Sequence, residues 1–274
     1  MQPKAFLSVS KDRNTMFAVT VNRIRKIIPF KNILVSANRL HLELIKKDFP
    51  GMAGKNIMLE PVSRNTAPAI GTAAFFLQRR FKDAVMVVLP ADQYIIDEKK
   101  YLSAIKKGIS FASAEAGLVV LGLKPTYSST GFGYVRIKTQ DTRHKAQGVY
   151  KVARFTEKPD LKTAKRFMRD GRYLWNAGAF VFRASVLLDA VRIHAPDIFS
   201  ILTKMRNSRG TERLYKKFQN ISIDYAVMER AGNIYCVKGS YRWRDIGSFG
   251  VLKEVLQKES RGFIEKNGKV VKIL

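Results

Sequence analysis

Two short stretches hold most of the residue types that can do chemistry. Glu60-Pro-Val-Ser-Arg-Asn-Thr-Ala67 sets a carboxylate, a guanidinium, an amide and a hydroxyl directly ahead of a helical pattern. A helix N-terminus presents unsatisfied N–H groups and the positive end of its dipole, so a polar loop there can hold phosphate. The second stretch, Asp83-Ala-Val-Met-Val-Val-Leu-Pro-Ala-Asp92, is an apolar run that ends on a lone aspartate. Ligands of open α/β sheets gather at the carboxyl ends of strands. A carboxylate placed there suits Mg²⁺, which takes one or two carboxylates plus substrate phosphates. A turn or helix-cap aspartate accounts for Asp92 equally well.

Weaker candidates follow along the chain. Asp245, in Trp243-Arg-Asp-Ile-Gly247, is a second carboxylate, though taken alone it reads as the partner of a helix N-terminus. Glu157-Lys158-Pro159 ends a strand. Lys158 can meet a phosphate as a point charge and Glu157 can accept from hydroxyls, but an exposed ion pair before a turn explains both. Asn176 and Gly178 put an amide beside a residue that lets a ligand approach, or that simply bends a strand. Ser222-Ile-Asp224-Tyr225 reads most simply as a helix cap with an acidic first turn. His41, His144 and His194 share no metal-ligand spacing, and no nucleophile elbow, zinc motif or Walker loop is present.

These residues need elements to position them. Spacing predicts helices over Thr15–Ile28, Leu40–Phe49, Thr66–Phe81 (capped by Thr66) and Lys99–Ala114. Short apolar strands are expected over Asn32–Val35, Asn56–Leu59, Ala84–Leu89 and Leu118–Gly122. Alternating strand and helix over the first 122 residues predicts a Rossmann-like α/β fold. Its sheet should be mixed but mostly parallel, with helices on both faces. Beyond Gly131 the expectation is strands over Gly133–Lys138, Val149–Phe155, Trp175–Phe182 and Ile234–Val237. Helices are expected over Leu161–Asp170, Ala184–His194, Asp197–Gln219, Tyr225–Glu229 and Gly247–Gln257. Asn267-Gly268 suggests a closing hairpin. The expected organisation is one domain over 1–260, with 261–274 as a hairpin or the start of a β-rich extension.

Composition narrows the class. The 274 residues are 46% hydrophobic, enough for one sizeable core. No apolar stretch is long enough to span a bilayer and no signal peptide is recognisable at the start. Cys236 is the only cysteine, which excludes an internal disulfide and suits a reducing, cytoplasmic setting. The formal charge is +28, but Lys and Arg are spread along the chain without a basic tail. This reads as a generally basic surface. Nucleic-acid binding is the competing reading, and it predicts steeply salt-dependent affinity.

Taken in order, these segments resemble the sugar-phosphate nucleotidyltransferases, in particular the mannose-1-phosphate guanylyltransferase branch. Glu60-Pro-x-x-Arg-Asn-Thr-Ala-Pro-Ala-Ile70 is similar to the guanine-side signature of that branch, and Leu89-Pro-Ala-Asp92 to its metal motif, with Ala91 and Gln93 departing from it. Gly131-Phe-Gly-Tyr134, Phe155-Thr-Glu-Lys-Pro159, Leu174-Trp-Asn-Ala-Gly178, Ser222–Glu229 and Trp243–Gly247 follow in the family's order. The resemblance implies that Asp92 and Asp245 hold Mg²⁺ and act with Lys4 in catalysis. It implies that Glu60, Arg64, Asn65, Thr66 and Ala67 line the nucleotide side. Gly133, Glu157, Asn176 and Gly178 would meet the sugar, and Lys158 its phosphate. The implied reaction joins GTP and mannose 1-phosphate into GDP-mannose and diphosphate, in a possible homodimer and without nucleic acid or membrane.

The family's first strand and glycine-rich loop, which precede a Pro-Lys pair similar to Pro3-Lys4, are not in this sequence. The expectation is therefore a fold with its first strand missing and impaired turnover of the chain as written. A non-catalytic nucleotide-sugar-binding homologue, or an enzyme for another hexose 1-phosphate, is the alternative.

Overall fold

Strand β5 (Leu118–Leu123) is buried at every position and divides the core in two. Leu118 and Val120 join one apolar cluster, Val119 and Leu121 the other, as strand alternation requires. The computed structural model describes residues 3–8, 14–140, 147–205, 211–245, 263–266 and 269–272. Around β5 run β3 (Val85–Val88), β6 (Tyr134–Ile137), β7 (Val149–Thr156), β8 (Tyr173–Arg183) and β9 (Ile234–Lys238), in the sheet order β3-β8-β5-β9-β7-β6. Strand β6 also pairs with the start of β8, Tyr134 opposite Trp175.

Helices cover both faces, as expected. On one face α3 (Thr66–Arg80), α6 (Ala184–His194) and α7 (Pro196–Met205) meet Met86, Phe180 and Phe182. On the other, α4 (Glu98–Ala114) lays Tyr101, Leu102 and Ile105 against Val119 and Val181. Each fully buried side chain of this size stabilises by about 1.5–3 kcal/mol.

The mostly parallel sheet is not what forms. Among the described residues, β5–β9 and the pair β1 (Val35–Asn38)–β2 (Ile57–Glu60) are parallel, and every other pairing is antiparallel. The reason lies in β8. Strands β3 and β5 do run the same way, because both are antiparallel to β8, which lies between them. A strand from about 50 or more residues downstream thus enters the parallel core that the earlier strand–helix alternation predicts.

Some local expectations hold closely. Helix α5 (Leu161–Asp170) is capped by Asp160, whose side chain accepts from the Thr163 N–H at 2.7 Å, and it ends on Gly171 at φ +71°. Others shift. The strand expected at Asn32–Val35 starts at Val35, because the Asn56 amide donates to the carbonyls of Lys31 and Ile33 and keeps Phe30–Asn32 in a 3-10 turn. Helix α1 (Met16–Ile24) is shorter than expected, and α2 is Leu42–Asp48. Of the long basic helix expected over Asp197–Gln219, α7 and α8 (Thr211–Tyr215) are helical, 206–210 lie outside the described residues, and the helix stops at Tyr215, short of Gln219. Asp224–Met228 forms a π-helical turn. Two three-residue strands escaped the sequence reading: β4 (Gln93–Ile95) and β10 (Trp243–Asp245) form an antiparallel ribbon. The final helix expected at Gly247–Gln257 lies outside the described residues. Strands β11 (Phe263–Lys266) and β12 (Lys269–Lys272) pair antiparallel, and the Asn267-Gly268 turn expected between them lies outside the described residues.

No helix among the described residues is long and apolar enough to cross a membrane. Strands β1 and β2 form a two-stranded sheet apart from the six-stranded one among the described residues. Packing is tight at Gly122, where a Cβ would lie 2.4 Å from the Cys236 Sγ and 2.9 Å from a Leu174 methyl. Burial also pushes the Cys236 thiol up to about 12, so this side chain acts as an inert apolar filler. Gly122→Ala is expected to destabilise by about 1–3 kcal/mol through overpacking, read as a lower urea midpoint at unchanged slope.

Candidate active site

Helix α3 begins at the polar loop singled out in the sequence. Its cap is Asn65, not Thr66: the Asn65 side chain accepts from the Thr66 N–H at 2.9 Å. Asn65 sits at φ 64°, ψ −171°, a region almost reserved for glycine, which costs of order 1–3 kcal/mol. Thr66 does different work. Its hydroxyl accepts from the Ile223 N–H at 2.9 Å, and the Ala67 N–H donates to the Ile221 carbonyl at 3.1 Å. The mouth of α3 is thereby tied to the segment 221–224. Glu60, at the end of β2, accepts from the Ser36 hydroxyl at 2.8 Å and the Tyr215 hydroxyl at 2.9 Å. Arg64 donates to the Lys216 carbonyl at 2.6 Å, so one arm of its guanidinium is engaged with the main chain.

The segment 221–224 leads to the second group. The Asn176 amide donates to Asp224 at 2.9 Å, and the Asn176 carbonyl accepts from the Gly178 N–H at 3.0 Å. Gly133 lies against the same spot: a Cβ there would stand 2.4 Å from Glu157 Oε2 and 3.3 Å from the Asn176 Cβ. Gly133, Glu157 and Asn176 are therefore brought together, although they come from three separate parts of the chain. Glu157 has a side chain only 9% exposed, and its Oε2 has no hydrogen-bond partner among the described residues. Lys158 is 3.7 Å from the other carboxylate oxygen and is held at φ 45°.

Acidity follows from this burial. Desolvation, then the neighbouring Asp224 carboxylate, push Glu157 up to about 7, with Lys158 opposing. Asp224 is also raised, chiefly by desolvation. The Glu157 N–H donates to Glu229 at 2.7 Å. Asp224 and Glu229 belong to this cradle, yet the sequence reading gave Asp224 only a capping role and Glu229 none. The motif Ser222–Glu229 was the available signal, but nothing local says that its π-helical turn aims an acid at β8.

Asp92 completes the picture. It is half-buried and has no hydrogen-bond or ion-pair partner among the described residues, which disfavours the capping role. The next residue, Gln93, is buried and donates to the Ala177 carbonyl at 2.6 Å. At Gly178, with φ +68°, a Cβ would lie 3.3 Å from Gln93 Nε2 and 3.5 Å from Pro90. In the β4–β10 ribbon the backbone of Asp245 is opposite Gln93. The two carboxylate-bearing positions expected to hold metal thus occupy neighbouring places at one ribbon. Lys4 is exposed at the start of a 3-10 turn that buries Phe6, and its neighbours Ala5 and Phe6 line the same cavity as Glu60 and Ala91.

Most of the chain is similar to known proteins. Residues 1–261 match the nucleotidyl transferase family model. A putative mannose-1-phosphate guanylyltransferase of Vibrio cholerae serotype O1 is 35% identical over 272 residues, covering 95% of this chain and 57% of that protein. A mannose-1-phosphate guanylyltransferase of Escherichia coli strain K12 is 33% identical over 275 residues, covering 96% of this chain and 57% of that protein. Both curated relatives are therefore much longer than this chain. A solved structure described as mannose-1-phosphate geranyltransferase from Thermus thermophilus superposes with a TM-score of 0.81 at 30% identity, over 93% of this chain and 72% of that one.

Proposed function

The chain belongs to the nucleotidyl transferase family, and from that premise we propose that it joins GTP and mannose 1-phosphate to give GDP-mannose and diphosphate. One observation carries the reading. A run of hydrogen bonds, Ala67 to Ile221, Ile223 to Thr66 and Asn176 to Asp224, couples the polar loop 60–67 to a buried amide-and-carboxyl cradle. The Thr66 and Ala67 N–H groups are already engaged and Pro68 has none, so the Arg64 guanidinium supplies the loop's positive charge for phosphate, while the cradle suits hydroxyls. The sugar is mannose and the base guanine on the strength of the relatives' names and the 60–70 motif.

The reaction needs no general base, because the sugar phosphate is already an anionic nucleophile. Its oxygen forms the new bond to the α-phosphorus of GTP while the bond to the β-phosphate oxygen breaks, and diphosphate leaves. The protein must align these atoms and offset charge. Glu157, Asn176 and the open face at Gly133 would orient the sugar hydroxyls. Lys158 would hold the sugar phosphate, and residues 60–67 the nucleotide. Lys4 would add positive charge on the phosphate side. Asp92 and Asp245 are hard oxygen donors of the kind Mg²⁺ prefers, and the lack of a described protein partner for Asp92 fits such a role. Bound there, Mg²⁺ would neutralise phosphate charge.

Calorimetry with GDP-mannose, UDP-glucose and dTDP-glucose, paired with a diphosphate-release assay, tests the proposal. The expected result is selective binding of GDP-mannose, with slow diphosphate release seen only when GTP and mannose 1-phosphate are both present. Equal affinity for the three nucleotide sugars overturns the assigned substrates. Selective binding without turnover supports a binding role instead.

A further inference from the structure

Glu60 closes strand β2, and two hydroxyls from distant parts of the chain orient its carboxylate. Ser36 of β1 donates to one oxygen at 2.8 Å, and Tyr215 of α8 donates to the other at 2.9 Å. Each carboxylate oxygen can accept twice. One acceptor site on each oxygen therefore stays open, so the group can still take two further donors, one per oxygen. Arg64, the nearest guanidinium along the loop, is turned to the Lys216 carbonyl.

Tyr215 is a rigid source for its hydroxyl. The residue is buried and packs edge-on against Phe218, with ring centroids 5.1 Å apart at 86°. It belongs to the same apolar cluster as α3 and α6. Burial, then the charge of Glu60, hold the phenol above its ordinary value, so it stays a donor. The segment around it is fastened on both sides. Glu212 pairs with Arg39, just beyond β1. The Lys216 carbonyl accepts from Arg64, and the Ile221 carbonyl accepts from the Ala67 N–H. Residues 212–221 thus lie across the ends of β1 and β2 and the mouth of α3, with the Tyr215 hydroxyl aimed at Glu60.

We propose that Tyr215 is a positioning residue for base recognition: it fixes the plane of the Glu60 carboxylate so that this group accepts two N–H donors from the edge of guanine. The inference rests on the reading of residues 60–67 as the nucleotide side. Guanine presents N1–H and an N2 amino hydrogen side by side, a fork that matches the two oxygens of one carboxylate as an arginine fork does. Hypoxanthine keeps only N1–H. Adenine turns the N1 lone pair toward the carboxylate and is repelled. A two-point contact needs a carboxylate of fixed orientation, whereas a single contact is met by one that rotates. Loss of the Tyr215 hydroxyl therefore costs discrimination more than it costs binding.

The test compares GDP-mannose, IDP-mannose and ADP-mannose, which differ only in the base, by calorimetry on the intact chain. The parent is expected to prefer GDP-mannose over IDP-mannose by about tenfold or more, with ADP-mannose weakest. Tyr215→Phe should cut the preference for GDP-mannose over IDP-mannose to within about twofold, and change the affinity for IDP-mannose by less than about twofold. Glu60→Gln should abolish the preference, and Tyr215→Phe added to it should have no further effect, because the two residues act as one unit. Ser36→Ala, at an exposed position on the other oxygen, should also reduce the preference and serves if Tyr215→Phe folds poorly. A lower Tm with the preference intact in Tyr215→Phe makes Tyr215 a core residue and overturns the inference. So do additive effects of Tyr215→Phe and Glu60→Gln, because Tyr215 would then not act through Glu60. Equal binding of all three ligands by the parent removes base reading at Glu60 and leaves nucleotidyl transfer standing. Failure of the parent to bind any of them overturns the proposed substrates, and this inference with them.

Discussion

Replacing Asp92 by asparagine is expected to lower diphosphate release by about 10²–10³-fold and to remove the Mg²⁺ dependence of GTP binding, with little change in Tm. The magnitude is that of deleting one preorganised electrostatic contact to developing charge. The small effect on stability follows from the surroundings: Asp92 is half-buried and pairs with no described side chain, so no structural bond is lost. Asparagine keeps the shape and the oxygen but removes the charge. The neighbouring Gln93, anchored to Ala177, holds the backbone in place. A Mg²⁺ titration of GTP binding by calorimetry reads the effect independently of turnover. Unchanged metal dependence, with activity within about twofold of the parent, would make Asp92 a turn residue and would leave Asp245 without its partner.

The ease of reading Asp92 from sequence, and the difficulty of reading its surroundings, have one physical cause. A strand-end carboxylate announces itself locally, through an apolar run and its abrupt stop. Helices α5 and α6 are equally local, set by their periods and, in α5, by Asp160 and Gly171, and their limits match the expected ones. The insertion of β8 between β3 and β5 is a contact between distant segments, and no periodicity within 173–183 encodes it. The ribbon β4–β10 is too short to show alternation. The same limit hid Asp224. Its sequence surroundings are those of a helix cap, and only the fold brings it to within 2.9 Å of the Asn176 amide. The apolar texture of 84–89 announced a strand covered on both sides, whereas the open edge of β3 depends on what pairs with it.

Glu157 provides the other large effect, and it acts through pH. Its carboxyl is raised to about 7 in the fold from an ordinary value of 4.5, because burial and Asp224 disfavour the charge. Below about 4.5 the group is protonated in both folded and unfolded chains and leaves stability unaffected. Between 4.5 and 7 the folded chain holds the proton more tightly than the unfolded one, so stability falls as pH rises through this window. Above about 7 the loss is complete. The size is of order 1–3 kcal/mol, given a shift of this scale and a side chain that is largely buried. Glu157→Gln removes the titration while keeping shape and a hydrogen-bonding oxygen. It should therefore reduce the fall of the urea midpoint between about pH 5 and 8, leaving the part that Asp224 carries, and stabilise the chain at the alkaline end. It should also weaken mannose 1-phosphate binding about tenfold at about pH 8, where the parent offers a full carboxylate to the sugar hydroxyls, and much less at about pH 5.5, where the parent is itself neutral. The two readouts separate the causes. A flatter stability profile with binding unchanged at both pH values would assign Glu157 to packing around Gly133 and Asn176 and away from the sugar.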